Sequence, residues 1–129
     1  MEFREYQEEA RRTQNKALPL FAMREHALYG LASEVGEVLG MHQKVHQGHP
    51  LDDTALRLEV GDCLWFLAEL CDCYGWDMGE IATANIQKLR VRYREKFTPE
   101  ESRARVDVKK REPVRSKHYS STREVKGNV

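Results

Sequence analysis

Apolar residues along this chain recur at intervals of three and four rather than two, the spacing that lines one face of a helix. Four helices follow from that spacing. The first is expected from about Glu2 to Lys16, with Phe3, Tyr6, Ala10 and Thr13 on one side, stopping before Leu18-Pro19. The second spans roughly Met23 to His46 through Ala27, Leu28, Leu31, Val35, Val38 and Leu39, and Gln47-Gly48-His49-Pro50 marks its end, because glycine closes helices and proline cannot continue them. The third opens near Asp52, Asp53 and Thr54, any of which can cap it, and runs through Leu56, Val60, Leu64, Leu67, Leu70 and Cys71 to Tyr74 and Gly75. The fourth is expected from about Asp77 to Phe97, with Ile81, Ile86, Leu89 and Tyr93 setting its period, until Thr98-Pro99 interrupts. No stretch alternates as a strand does. Beyond Glu100 the period is lost. A short helix over Glu101 to Val106 is all the order expected there, and residues 108 to 129 are left without assigned structure.

The pattern therefore predicts an all-α fold, a four-helix bundle in one domain over residues 1–97, followed by a tail over 98–129. A length of 129 residues suits a single domain with a modest core. The mean hydropathy of −0.71 and the lack of any apolar run near the ~20 residues of a membrane span exclude membrane insertion. The opening MEFREYQEEARR is acidic and polar, unlike a secretory signal, so a cytoplasmic location is expected. Three cysteines, Cys63, Cys71 and Cys73, are odd in number and share one apolar stretch, which reads as reduced thiols rather than a disulfide framework.

Net charge changes the picture only when it is divided along the chain. Residues 1–97 hold 12 Lys+Arg against 16 Asp+Glu, and residues 98–129 hold 9 against 5. An acidic body does not suit binding of nucleic acid through the bulk surface, which leaves only the basic tail for such a partner. It does suit carboxylates gathered around a divalent cation.

Those carboxylates lie in an internal repeat. Leu31-Ala-Ser-Glu34-Val35-Gly36-Glu37-Val38-Leu39 returns 25 residues later as Leu56-Arg-Leu-Glu59-Val60-Gly61-Asp62-Cys63-Leu64, both copies reading L-x-x-E-V-G-[E/D]-x-L. At about 100° per residue, the apolar positions of each copy centre about 80° from its first acid, with the second acid about 60° to the other side. A short link makes the two helices antiparallel neighbours. Packing their apolar stripes together then brings Glu34, Glu37, Glu59 and Asp62 to one side of the seam. One E-x-x-E alone is ordinary solvated helix surface. Two in matched frames are different, because four bare acids that close repel one another and a hard cation with oxygen ligands removes the repulsion. Oxygen ligands favour magnesium (Mg2+), with manganese (Mn2+) the second choice. Mid-helix glycine costs about 1 kcal/mol relative to alanine, so Gly36 and Gly61 at matching places point to close packing or another constraint.

On the fourth helix Asn85, Lys88 and Arg92 fall at i, i+3 and i+7 and share a face suited to phosphate oxygens. Lys44 is a weaker candidate of the same kind. His42, His46 and His49 do not form a convincing transition-metal set, and Trp65, Phe66, Trp76, Tyr29 and Tyr93 read as core or subunit contacts. There is no phosphate-binding G-x-x-x-x-G-K-[S/T] loop, nor a nucleophile elbow.

Taken together, Glu34-x-x-Glu37 and Glu59-x-x-Asp62 resemble the signature of the MazG-like nucleoside triphosphate pyrophosphohydrolases, an all-α family. The resemblance runs from Phe3-Arg-Glu-Tyr6-Gln7 through Gly30-Leu-Ala-Ser-Glu-Val-Gly-Glu, His46-Gln-Gly48-His49-Pro50-Leu51 and Glu59-Val-Gly-Asp-Cys-Leu-Trp65 to Asn85-Ile-Gln-Lys88-Leu-Arg-Val-Arg92-Tyr93. It implies metal ligation and catalysis by Glu34, Glu37, Glu59 and Asp62, a triphosphate held by Asn85, Lys88 and Arg92 or Tyr93, and a bundle completed by dimerisation, as dimers or dimers of dimers. The reaction it implies is water attack at the α-phosphorus with pyrophosphate leaving, Lys88 and Arg92 stabilising the leaving group and one carboxylate, Glu37 for instance, accepting the proton. Where many relatives have Pro and Gly after the Arg-Tyr pair, this chain has Arg94-Glu-Lys96-Phe97. Two rival readings are a different nucleotide, such as phosphoribosyl-ATP, with the same chemistry, and a non-enzymatic helical interaction module that uses the basic tail. A di-iron bundle would need E-x-x-H, which neither pair offers.

Overall fold

The computed structural model of the chain describes residues 1–109, all of it helix, turn or coil. The helices are α1 (Phe3–Ala10), continued by a 3-10 turn at Arg11–Thr13, α2 (Leu20–His46), α3 (Asp53–Tyr74), α4 (Met78–Arg92), α5 (Pro99–Ala104) and α6 (Val106–Lys109). By contacts the chain divides into two compact units, Met1–Asn85 and Ile86–Val129.

Each boundary has a local chemical cause. α2 begins three residues earlier than its periodicity suggests, because Pro19 stands at the N-cap in extended backbone, where its missing N–H costs no helical bond. It ends where Gly48 takes a φ of +90°. Of the three candidate caps for α3, Asp52 does the capping, accepting from the Ala55 amide at 3.0 Å. Gly75 closes α3 at a φ of +68°, with the Trp76 amide donating to the Cys71 carbonyl at 2.9 Å. Asp77 starts α4 by accepting from the Glu80 amide at 3.1 Å. α4 stops at Arg92, five residues short of Phe97. Thr98 then caps α5 through the Glu101 amide, with Pro99 in the first turn. The expected short helix thus exists but starts at Pro99, and the rest of the tail, 110–129, lies outside the described residues.

In the first unit α3 is the central helix. α1 docks on its C-terminal half, where Ala10, Ala68, Cys71 and Met78 form the core with Tyr6, Leu64 and Trp65 packed against it. A polar clamp fixes that docking. Buried Gln7 donates to Asp72 at 2.7 Å and to the Trp76 carbonyl at 2.8 Å, and accepts from the Met78 amide at 3.0 Å. Arg11 and Gln14 also donate to Asp72, at 2.6 and 2.7 Å. Burial alone would raise the Asp72 pKa, but the hydrogen bonds from Arg11, Gln7 and Gln14 hold it below the usual carboxylate value.

α2 lies along α3 as its antiparallel partner. His26 meets Glu69, Gly30 meets Phe66 and Glu34 meets Asp62, so each step forward on one helix is a step back on the other. The seam differs from the expected stripe. Ala27, Leu31 and Val38 face inward with Glu34, whereas Leu28, Val35 and Leu39 are exposed, Leu39 by 63%. On α3 Val60 is 56% exposed. The seam rotates this way because Ala27 and Gly30 let the large Phe66 ring close to the α2 backbone, and that draws the Glu34 face inward. Close packing within the chain falls at a different glycine. Gly30 is the crowded one, and a side chain at Gly36 or Gly61 would meet nothing within 4 Å in this chain.

Candidate metal centre

The inward turn of α2 places an acid on the seam itself rather than beside it. One carboxylate oxygen each from Glu34 on α2 and Glu59 and Asp62 on α3 lie within 4.8 Å of one another. Glu34 and Glu59 are half-buried and Asp62 is exposed. Burial raises the Glu34 pKa, and the charges of Asp62, Glu59 and Glu37 raise it further, together with a hydrogen bond to Glu59. Three acids gathered this closely, with no nitrogen or sulfur donor in the set, fit a hard divalent cation of the magnesium or calcium class.

Glu37 stands one turn along α2, exposed and outside that triad, yet near enough for its charge to bear on Glu34. Lys44 is exposed in the last turns of α2. Asn85 is the last residue of the first unit and is exposed, while Lys88, Arg92 and Tyr93 belong to the second unit and are half-buried. Arg92 is already engaged: its Nε and Nη2 donate to the two Asp107 oxygens at 2.8 and 2.7 Å. The Tyr93 ring centre is 5.9 Å from the Arg92 guanidinium carbon.

Several neighbours of the centre are not evident from the repeat. Tyr6 on α1 lies near enough for the Asp62 charge to add to the burial that raises its pKa. One turn from the acids along the seam, Phe66 fills the notch at Gly30, with its ring centre 5.0 Å from that of Trp65 and 5.5 Å from that of His26. The Trp65 indole N–H donates to Thr13 at 2.8 Å. One turn further, Glu69 is fully buried with one oxygen 2.8 Å from His26 Nδ1, and its other oxygen has no partner among the described residues. Of the other aromatics, Trp76 stacks on Tyr74 at 4.5 Å and Tyr29 is 70% exposed. The three cysteines are free thiols, and burial raises the pKa of Cys71 and Cys73, which makes them poor nucleophiles.

An acid from one helix converging on two acids from its antiparallel partner, in a fold built of helices, makes a carboxylate-centred all-α scaffold. Residues 23–97, more than half of the chain, match the family model of the MazG nucleotide pyrophosphohydrolase domain, and the chain belongs to that family. No match is found among curated proteins or among solved structures. The matched region contains both acid pairs and α4, and it ends before α5. Nucleotide pyrophosphohydrolysis is therefore the class of activity. No helix among the described residues is long and apolar enough to cross a membrane.

Proposed function

We propose that this chain hydrolyses nucleoside and deoxynucleoside triphosphates between the α and β phosphates, giving the monophosphate and pyrophosphate with Mg2+ as cofactor. The observation that supports it is the convergence of Glu34, Glu59 and Asp62 within 4.8 Å, from both copies of the repeated frame, in a chain of this family. Glu34, Glu59 and Asp62 hold the cation, and Glu37 completes the set from the exposed side. A divalent cation held there supplies charge neutralisation for the phosphates and lowers the pKa of water. One of these carboxylates, Glu37 in this reading, takes the proton of the attacking water. Asn85, Lys88, Arg92 and Tyr93 contact the triphosphate, with Lys44 a further cation near the end of α2. The catalytic domain is residues 1–97.

The reading includes a homo-oligomer. Phe21, Leu28, Tyr29, Val35, Leu39, Leu58 and Val60, on the two helices that carry the acids, are all 45–70% exposed, and association would take them out of water. A second copy covers it.

The test is pyrophosphate release across standard, deoxy and damaged nucleotides, with and without Mg2+. Release that needs Mg2+ is expected, and Glu34→Gln or Asp62→Asn should lower the rate by about 100-fold or more, the scale of losing a group that stabilises developing charge. No release from any nucleotide, or wild-type rates in both variants, would overturn the reading. Sedimentation of the wild-type chain reports the oligomer.

A further inference from the structure

The most enclosed ion pair among the described residues lies outside the carboxylate centre. The Arg92 and Asp107 side chains are only 18% and 3% exposed, whereas each of the other pairs has at least one markedly more exposed partner. Asp107 lies ten residues past the end of the matched domain. It is brought back to α4 by a built path. Thr98 caps α5, Arg94 pairs with Glu101 at 3.1 Å, and Arg105 takes the left-handed conformation at a φ of +44° before α6 begins. A non-glycine residue adopts that conformation only against steric resistance, so the Asp107 contact just beyond it helps to hold the turn.

The bonds are side-on, through Nε and one Nη2 hydrogen. A guanidinium has five N–H donors, so three remain: one on each Nη along the end-on edge and one on Nη1 facing the far side, with the Tyr93 side chain close by. We propose that Asp107 is a positioning residue that fixes the Arg92 plane and presents this end-on edge to substrate phosphate; the inference rests on the reading of Arg92 as a triphosphate contact. A phosphate that displaced Asp107 would strand an enclosed carboxylate without its partner, an unfavourable exchange. Phosphate therefore adds to the free edge and the pair stays closed. The same pair keeps Arg92 charged and Asp107 ionised, with the Asp107 pKa lowered to about 2 by the Arg92 hydrogen bonds.

The experiment measures KM and kcat for pyrophosphate release on the nucleotide that the wild-type chain turns over fastest. Asp107→Asn should raise KM about tenfold, the loss of one charge-assisted hydrogen bond's worth of order, with kcat changed far less. Asp107→Glu, which keeps the carboxylate, should return KM most of the way. In an Arg92→Ala background Asp107→Asn should change nothing further, since its effect passes through Arg92. Arg92→Lys keeps the charge but has no side-on edge, so it should behave like Arg92→Ala even if an Asp107 variant folds poorly. The inference is overturned by wild-type KM in Asp107→Asn, by a lowered KM, which would make Asp107 a mask, or by an equal effect in both backgrounds, which would make it a fold contact. It is overturned as well by full activity of Arg92→Ala or Arg92→Lys. Absence of pyrophosphate release from the wild-type chain is a separate outcome, the failure of the activity itself, and the inference falls with it.

Discussion

Replacing Gly30 by alanine sets two opposed effects against each other, and the structure decides the sign. In an exposed helix interior the change stabilises by about 1 kcal/mol. At Gly30 the added methyl would sit on the Phe66 ring, overlapping Cε1, Cζ and Cδ1, far inside the 3.5–4.0 Å at which carbon atoms attract. The ring has nowhere near to go, because Trp65 and His26 are on its other sides. Moving it off its rotamer costs about 0.5–1.5 kcal/mol. Pulling a half-buried phenyl partly back into water costs on the order of 1 kcal/mol more. The sum, about 2 kcal/mol, exceeds the helix gain, so Gly30→Ala should destabilise by about 1 kcal/mol and lower Tm by about 4–8 °C. The control is Phe66→Ala, which removes the ring. In that background Gly30→Ala should reverse sign and stabilise by up to about 1 kcal/mol, a coupling of about 2 kcal/mol measured by urea or thermal denaturation of the four proteins. A higher Tm for Gly30→Ala in the native background, or the same loss in both, refutes the argument. Phe66 is one turn from Asp62, so the displaced ring should also change KM for substrate in the single variant.

Three further outcomes concern other parts of the first unit. Gln7→Ala leaves the buried Met78 amide without its acceptor, at about 1–3 kcal/mol, and removes the part-buried bond to the Trp76 carbonyl, worth about 1 kcal/mol, so a loss of about 2–4 kcal/mol is expected in thermal melts; a loss under about 1 kcal/mol would mean that α1 docks by apolar contact alone. The Asp72 pKa is depressed in the folded chain, so its contribution is fully present above the unfolded value near 3.9 and is lost as pH falls below it. Tm should therefore fall more steeply from about pH 4.5 to 2.5 in the wild-type chain than in Asp72→Asn, and equal slopes would sink this. Gly36→Ala and Gly61→Ala meet open space, so each should raise the stability of a lone chain by up to about 1 kcal/mol. Sedimentation of both variants then tells whether that face is covered by a second copy, which the added methyl would push away.

How much of this was legible in the chain depends on whether a feature was local. Helix ends at Gly48, Asp52 and Gly75 follow from capping chemistry that acts within a few residues, and each stands where the sequence puts it. The convergence of Glu34, Glu59 and Asp62 was legible because the duplicated frame fixes angles on each helix, although Glu37, expected with them, falls outside the triad. Helix rotation was not. It depends on the fit of Phe66 against Gly30, a contact across 36 residues that no periodicity encodes, and so the stripe of Leu28, Val35 and Leu39 was assigned to the wrong side. The Gln7 clamp and the His26–Glu69 pair were hidden for the same reason: a glutamine on an acidic helix and a glutamate near cysteines carry no sign of the partner they meet. Asp107 was hidden by composition, since the basic excess of residues 98–129 masks one acid that folds back.

The rotation of α2 also explains why the carboxylates can be crowded at all. Had the apolar stripe formed the seam, Glu34 would face water, where charge repulsion from Glu59 and Asp62 is screened and the acids can turn apart. With Glu34 drawn inward behind Gly30 and Phe66, its oxygens are held against those of the second helix and its pKa rises. Part of the hydrophobic packing thus works against the acids, and a bound cation reverses that penalty. The apolar residues displaced from the seam then face outward on α2, where association with another copy would bury them. The single small residue at Gly30 connects both consequences, since it sets the rotation that gathers the acids and the rotation that leaves Leu28, Val35 and Leu39 in water.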